Sequence, residues 1–206
     1  MDTDYGPDRR FFRSLSMAKG YDGYLIGKLF CRRLAASNVH SMTAQPEALG
    51  EVRVRKQKKN YVILELPGEN YLLTLTLVCP SDFSGHAEPG KMKVRVQNTE
   101  NIMFQPEDVI GRHTFTPAEI LDFVQSVQDT NGIHRTAEPI VPGLLMAEWF
   151  FSILHPSDWE AVELRFHMPA YAGQHLCLCR QSEGYDCLSE ETGQLFWSGK
   201  LTMQGG

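Results

Sequence analysis

The chain has 206 residues, 42% hydrophobic and 22% charged, with a formal net charge of −5. This balance excludes the low-hydrophobicity, high-charge regime of disordered chains, and the acidic sign argues against nucleic acid as the main partner. No stretch reaches the ~18 apolar residues of a membrane span, and no apolar run precedes a cleavage site near the N-terminus, so a soluble cytoplasmic protein is expected, with no membrane association.

In chain order, the first twenty residues read as a loose arm, the RRFFR run at 9–13 included. Residues 21–36, YDGYLIGKLFCRRLAA, mix apolar and basic positions and predict a short helix, weakened by Gly23 and Gly27. A polar linker at 37–50 leads to three β-rich runs at 51–57, 60–68 and 70–80, separated by turn-like residues and predicting a meander. A loop at 80–90 precedes a further strand at 91–98. The basic run Arg53, Arg55, Lys56, Lys58 and Lys59 is read first as a solvated, charge-protected strand edge, and second as a docking patch for coenzyme A phosphates or an acidic carrier protein.

The second half opens on a sharp helix signal. Thr116-Pro117-Ala118-Glu119 combines a Thr N-cap, Pro at the first helical position and Glu three residues after the cap, and Ile120, Leu121, Val124 and Val127 then recur at helical spacing. A polar loop at 128–139 precedes Pro142 and Gly143. From there an apolar helix runs to His155-Pro156, where the residue before proline resists the α region. Strands follow at 161–168, 175–180, 185–188 and 194–203. The five cysteines are an odd number without disulfide or zinc-knuckle spacing, which predicts reduced thiols. Cys177 and Cys179 share one face of a strand, where small core residues are the expected reading and a metal pair the lesser one.

The helix after Gly143 has almost no polar face, as for a helix gripped by a curved antiparallel sheet. The expected class is therefore α+β, with residues 1–107 as an arm plus a helix-and-strands region and residues 108–206 as the main domain. The element order of the first part allows a degenerate copy of the second. In the middle of the apolar helix stands Glu148. A charge buried without a partner costs several kcal/mol, so a group in such a place is paired, protonated or kept for chemistry. Upstream lie Asp129, Asn131 and His134. The helix N-terminus at Pro142 and Gly143 offers unsatisfied N–H groups suited to an oxyanion, and Gly143 admits a close approach to the backbone. A polarised carbonyl, an imidazole and a carboxylate are the parts for proton abstraction beside a carbonyl, coupled to protonation of a departing hydroxyl.

The run from His134 through Pro139, Pro142 and Gly143 to Glu148 resembles the active-site signature of the β-hydroxyacyl-ACP dehydratases. Asp129-Thr-Asn131-Gly-Ile-His134 resembles the D-x-N-P-x-H motif of MaoC-like (R)-specific enoyl-CoA hydratases, and residues 162–176, VELRFHMPAYAGQHL, resemble their R-F-x-x-P-x-x-x-G-D-x-L segment. Arg135-Thr136-Ala137 replaces the usual Phe-Pro-Gly, and Gly132 stands where the MaoC-like motif has proline.

The resemblance covers residues 108–203 and implies a hot-dog fold, a double hot dog if the first half is the degenerate copy. It also implies interconversion of 3-hydroxyacyl and trans-2-enoyl thioesters of coenzyme A or acyl carrier protein, without metal or organic cofactor. His134 would move the C2 proton, the Gly143 N–H at the Pro142-Gly143 turn would hold the thioester oxygen, and Asn131 would help bind substrate. For the proton at the C3 hydroxyl, Glu148 is preferred, with a pKa raised by apolar surroundings and supplied across a pair of hot-dog units. Asp129 is the alternative. A homodimer or higher oligomer is expected. A thioesterase and a noncatalytic acyl-binding or assembly subunit are the competing functions.

Overall fold

The structure is a computed structural model and describes residues 7, 9–16, 21–34, 51–68, 70–79, 108–154 and 159–203. The linker at 37–50, the loop at 80–90 and the strand expected at 91–98 lie outside the described residues, and the division at 107 falls at the edge of one of these spans. The elements are α1 (Arg9–Ser16), β1 (Leu25–Arg33), β2 (Arg53–Lys58), β3 (Tyr61–Pro67), β4 (Tyr71–Val78), β5 (Val109–Thr114), α2 (Pro117–Ser126), a 3-10 turn (Gly132–Arg135), α3 (Gly143–Ile153), β6 (Ala161–Phe166), β7 (His175–Gln181), β8 (Gly184–Ser189) and β9 (Leu195–Thr202). No helix among the described residues is long and apolar enough to cross a membrane.

All nine strands form one sheet in the order β2-β3-β4-β1-β6-β9-β8-β7-β5, and every neighbouring pair is antiparallel. The order has an internal symmetry. The meander β2-β3-β4 carries β1 on its inner side, and the meander β7-β8-β9 carries β6 in the same way, so the two sets meet where β1 pairs with β6. β5 is the additional strand at the outer edge beyond β7.

Two expectations for the first half are corrected. Residues 25–33 form a strand rather than a helix: β1 is hydrogen-bonded to β4 on one side and β6 on the other, and Leu29 and Cys31 point into the core. The Lys28 ammonium meets Glu163 at 2.6 Å. From Lys28 to Arg32 β1 is paired on both sides, which outweighs a weak local helix preference. Residues 9–16 are a docked helix rather than a loose arm, with Phe12 fully buried and Leu15 nearly so. Eight residues are too few for a stable isolated helix, so tertiary contact holds α1 together.

α2 begins as expected. The Thr116 hydroxyl accepts from the Glu119 N–H at 3.2 Å, while the Glu119 carboxylate accepts from the Thr116 N–H at 2.8 Å. α3 lies against the sheet, with Phe150 packed edge-on to Trp197 at 5.0 Å and to Tyr185 at 5.2 Å, and Phe151 tilted against Trp159 at 5.6 Å. Such a fully buried aromatic contributes about 1.5–3 kcal/mol through apolar burial. Leu176 and Leu178 of β7 join this core, whereas Cys177 and Cys179 face the other side of the sheet among Leu188 and Leu195. Burial pushes both thiols up, Cys179 to about 12, and among the described residues no three His, Cys, Asp or Glu side chains are grouped to hold a metal.

Candidate active site

The site is assembled from the two chain segments that flank α3 and from the first half. α2 ends in a left-handed residue, Gln128 at φ 56°, so that the Asp129 N–H reaches back to the Val124 carbonyl at 2.8 Å and the Gln128 N–H to Gln125 at 3.2 Å. This double capping turns the chain sharply and delivers Asp129 to the start of the loop. The Asp129 carboxylate accepts from the Asn131 N–H through Oδ1 at 2.8 Å, which leaves Oδ2 facing His134 Nε2 at 3.7 Å. The Arg135 guanidinium donates to the Asp129 carbonyl and fixes the same turn.

His134 is buried, and its Nδ1 lies 2.7 Å from the Ile140 carbonyl. A carbonyl only accepts, so Nδ1 carries the proton and Nε2 presents a free lone pair on the Asp129 side. Burial pushes the imidazole below its ordinary 6.5, while the Asp129 charge and the Ile140 carbonyl oppose that shift, and the ring is therefore held neutral. The Ile140 carbonyl is itself held in place. Residues 139–141 are laced to 170–172 by the Val141 N–H to Ala170 carbonyl bond at 2.8 Å and the Ala172 N–H to Pro139 carbonyl bond at 3.0 Å. The turn between β6 and β7 thus buttresses His134, and Gly173 at φ 83° closes it in a conformation that other residues resist.

At the start of α3, Leu145 and Met146 donate to the Pro142 carbonyl, at 3.0 and 3.1 Å. The Gly143 and Leu144 N–H groups have no partner among the described residues, so two donors at the positive end of the helix remain free. Gly143 has a packing reason as well: a Cβ there would sit 3.2 Å from the Ile26 side chain and 3.4 Å from Phe166. Its missing side chain lets β1 and β6 close over the helix start.

A cavity of about 100 Å³ joins these parts, lined by Asp129, Asn131, His134, Pro142 and Gly143. The first half supplies the opposite wall, with Leu15, Tyr21, Asp22, Tyr24, Ile26 and Leu77. No local signal marks these residues in the sequence; only the β1–β6 pairing brings them to the site. Asn131 ties the halves together, since its Oδ1 accepts from the Gly23 N–H at 3.0 Å and its Nδ2 donates to the Tyr24 carbonyl at 3.1 Å. Its Oδ1 is also turned toward the Ile133 N–H, and its second Nδ2 hydrogen has no partner among the described residues.

Within the chain, Glu148 is not brought to His134. Its carboxylate faces α1, where Arg9 donates to it side-on, from Nε to Oε1 at 2.8 Å and from Nη2 to Oε2 at 3.2 Å. Counting along the axis places Glu148 near Gly143, but five residues also rotate it by roughly 140° around the helix, away from the cavity. The apolar surroundings expected for it are replaced by a guanidinium, and its side chain is 29% exposed.

No family model matches the sequence, and no curated protein matches it. Solved structures do match in fold. HtdX of Mycobacterium tuberculosis superposes with a TM-score of 0.57 at 12% identity, over 93% of this chain and 81% of that one. A MaoC-like dehydratase from Phytophthora capsici gives a TM-score of 0.52 at 13% identity, over 88% of this chain and 69% of that one. The peroxisomal multifunctional enzyme type 2 of Drosophila melanogaster gives 0.51 at 16% identity, and the match spans 98% of this chain but 42% of that one. A Lactobacillus plantarum protein assigned as an oleoyl thioesterase gives a TM-score of 0.51 at 11% identity, over 87% of this chain and 74% of that one. The chain has the hot-dog fold, which these dehydratases and thioesterases share.

Proposed function

We infer that the protein interconverts 3-hydroxyacyl and trans-2-enoyl thioesters, with His134 and Asp129 as the acid–base pair. The observation that carries this reading is the meeting of a neutral imidazole lone pair, a carboxylate 3.7 Å away and two free helix N–H groups around one cavity. In dehydration, His134 Nε2 takes a C2 proton, and the electron pair moves onto the thioester oxygen, where the Gly143 and Leu144 N–H groups stabilise the enolate. The enolate then collapses to the C2–C3 double bond and the C3 hydroxyl departs, while the proton taken from C2 passes from His134 to Asp129 across the short gap between them and on to the departing oxygen, which leaves as water. Hydration runs the same steps backward.

Neither the second carboxylate nor water activation by a helix residue fits the thioesterase alternative well, because Glu148 is held by Arg9. The test is to give the protein crotonyl-CoA and follow both the conjugated enoyl absorbance and free thiol. Loss of absorbance without thiol is expected; thiol release would indicate hydrolysis instead. His134→Ala should lower turnover by about 10²–10⁴. Asp129→Asn should fall with it, whereas Glu148→Gln should keep turnover of this short substrate, and the reverse pattern would return the acid role to Glu148.

A further inference from the structure

The carboxylate on the apolar helix has a partner on the one element that the sequence leaves unassigned. Arg9 of α1 grips Glu148 through two parallel hydrogen bonds, sends Nη1 to Asp122 Oδ2 at 2.8 Å, and places its guanidinium over the Phe123 ring at 5.5 Å. A side-on guanidinium–carboxylate pair fixes orientation as well as distance. Phe12 then enters the core beside Phe123, with ring centroids 6.5 Å apart, and Leu15 reaches the cavity. Beyond α1, Tyr21, Asp22 and Tyr24 line the same cavity, and the backbone at Gly23 and Tyr24 is held by Asn131. α1 is thus fastened to α3 through Glu148, Gly23 and Tyr24 are fastened to the loop of Asn131, and Leu15, Tyr21, Asp22 and Tyr24 supply cavity wall.

The space left is small. A cavity of about 100 Å³ is well below the roughly 300–1,000 Å³ of pockets that hold a drug-sized ligand. That suits a short acyl chain, and Leu15 of α1 is part of the wall that a longer chain meets.

We propose that Glu148 anchors α1 against the acyl cavity, and that the Arg9–Glu148 pair, by holding Leu15 in the cavity wall, restricts the site to short acyl chains. This rests on reading the cavity as an acyl-thioester site. Glu148 is then a positioning residue and Leu15 the specificity-determining one.

The test uses the full chain and two unreactive probes, S-butyl-CoA and S-decyl-CoA, with affinities measured by calorimetry. The wild type is expected to bind the butyl thioether better. Arg9→Gln, Glu148→Gln and, independently of the ion pair, Leu15→Ala should each shift the butyl-to-decyl affinity ratio toward decyl by about tenfold or more. The exchanged pair Arg9→Glu with Glu148→Arg, made together with Asp122→Asn so that the new carboxylate meets no like charge, should restore the ratio, which a general loosening of the fold does not do. A ratio unchanged in all three single variants overturns the proposal, as does an exchanged pair that restores nothing. Because the thioethers report binding without chemistry, failure to hydrate crotonyl-CoA would refute the proposed reaction and leave this ratio intact. Hydration with an unmoved ratio would refute the anchor alone. A wild type that binds neither thioether would refute both.

Discussion

His134 meets two demands with one hydrogen bond. The Ile140 carbonyl fixes the tautomer, and the same burial that makes this bond strong also disfavours the charged ring. The direction of that shift has a pH consequence. Between the lowered value and 6.5 the unfolded chain binds a proton that the folded chain refuses, so acidification through this window removes stability, and above 6.5 nothing is lost. The expected outcome is a Tm that falls more between pH 7 and pH 5 in the wild type than in His134→Gln. The acid limb of the dehydration rate should likewise lie below pH 6.5, since the neutral ring is the base. Asp129 and His134 were visible in the sequence as candidates, but their ranking against Glu148 was not. Rise along a helix is read directly from spacing, whereas the partner a side chain meets across 139 residues is not.

At the scale of elements, the end of α2 shows how a local irregularity positions chemistry. A left-handed L-residue costs roughly 1–2 kcal/mol, and Gln128 bears that cost so that Asp129 is turned toward His134. Gln128→Gly should relieve it and stabilise the protein by about 0.5–1 kcal/mol after the extra chain entropy of glycine is counted. In a chain of this size that corresponds to a Tm rise of about 1–3 °C, measurable by calorimetry. The start of α2 was legible because Thr116, Pro117 and Glu119 carry the cap in their side chains; its end was not, because no glycine marks it. β1 shows the opposite case. Its alternation of Leu29 and Cys31 with Lys28 and Arg32 is broken by Phe30 and Gly27, and its identity as a strand is decided by the neighbours on both sides. The basic strand β2 is exposed along its whole length at the sheet edge, in keeping with charge protection of an open edge.

For the whole molecule, the junction of β1 with β6 does two things at once. It joins two meanders into one sheet, and it brings Ile26 and the segment before it over the start of α3. The core beneath that sheet is centred on Phe150, in edge contact with Trp197 and Tyr185 and tilted against the neighbouring Phe151. Phe150→Ala should therefore cost about 3–5 kcal/mol in denaturant unfolding. A value near zero would mean that α3 is not gripped as described.

By itself the sequence determined the α+β class, the buried helix, the meanders, the cap of α2 and the chemical parts of the site, because each is written in a local pattern of polarity, turn residues or spacing. The tertiary structure alone decided which parts meet. It paired Asp129 with His134, assigned Asn131 to joining the halves, gave Glu148 to Arg9 and made α1 a wall of the cavity. The physical reason is that a side chain's direction and its distant partners follow from rotation about helix axes and from strand register, and neither quantity is carried by any short stretch of residues.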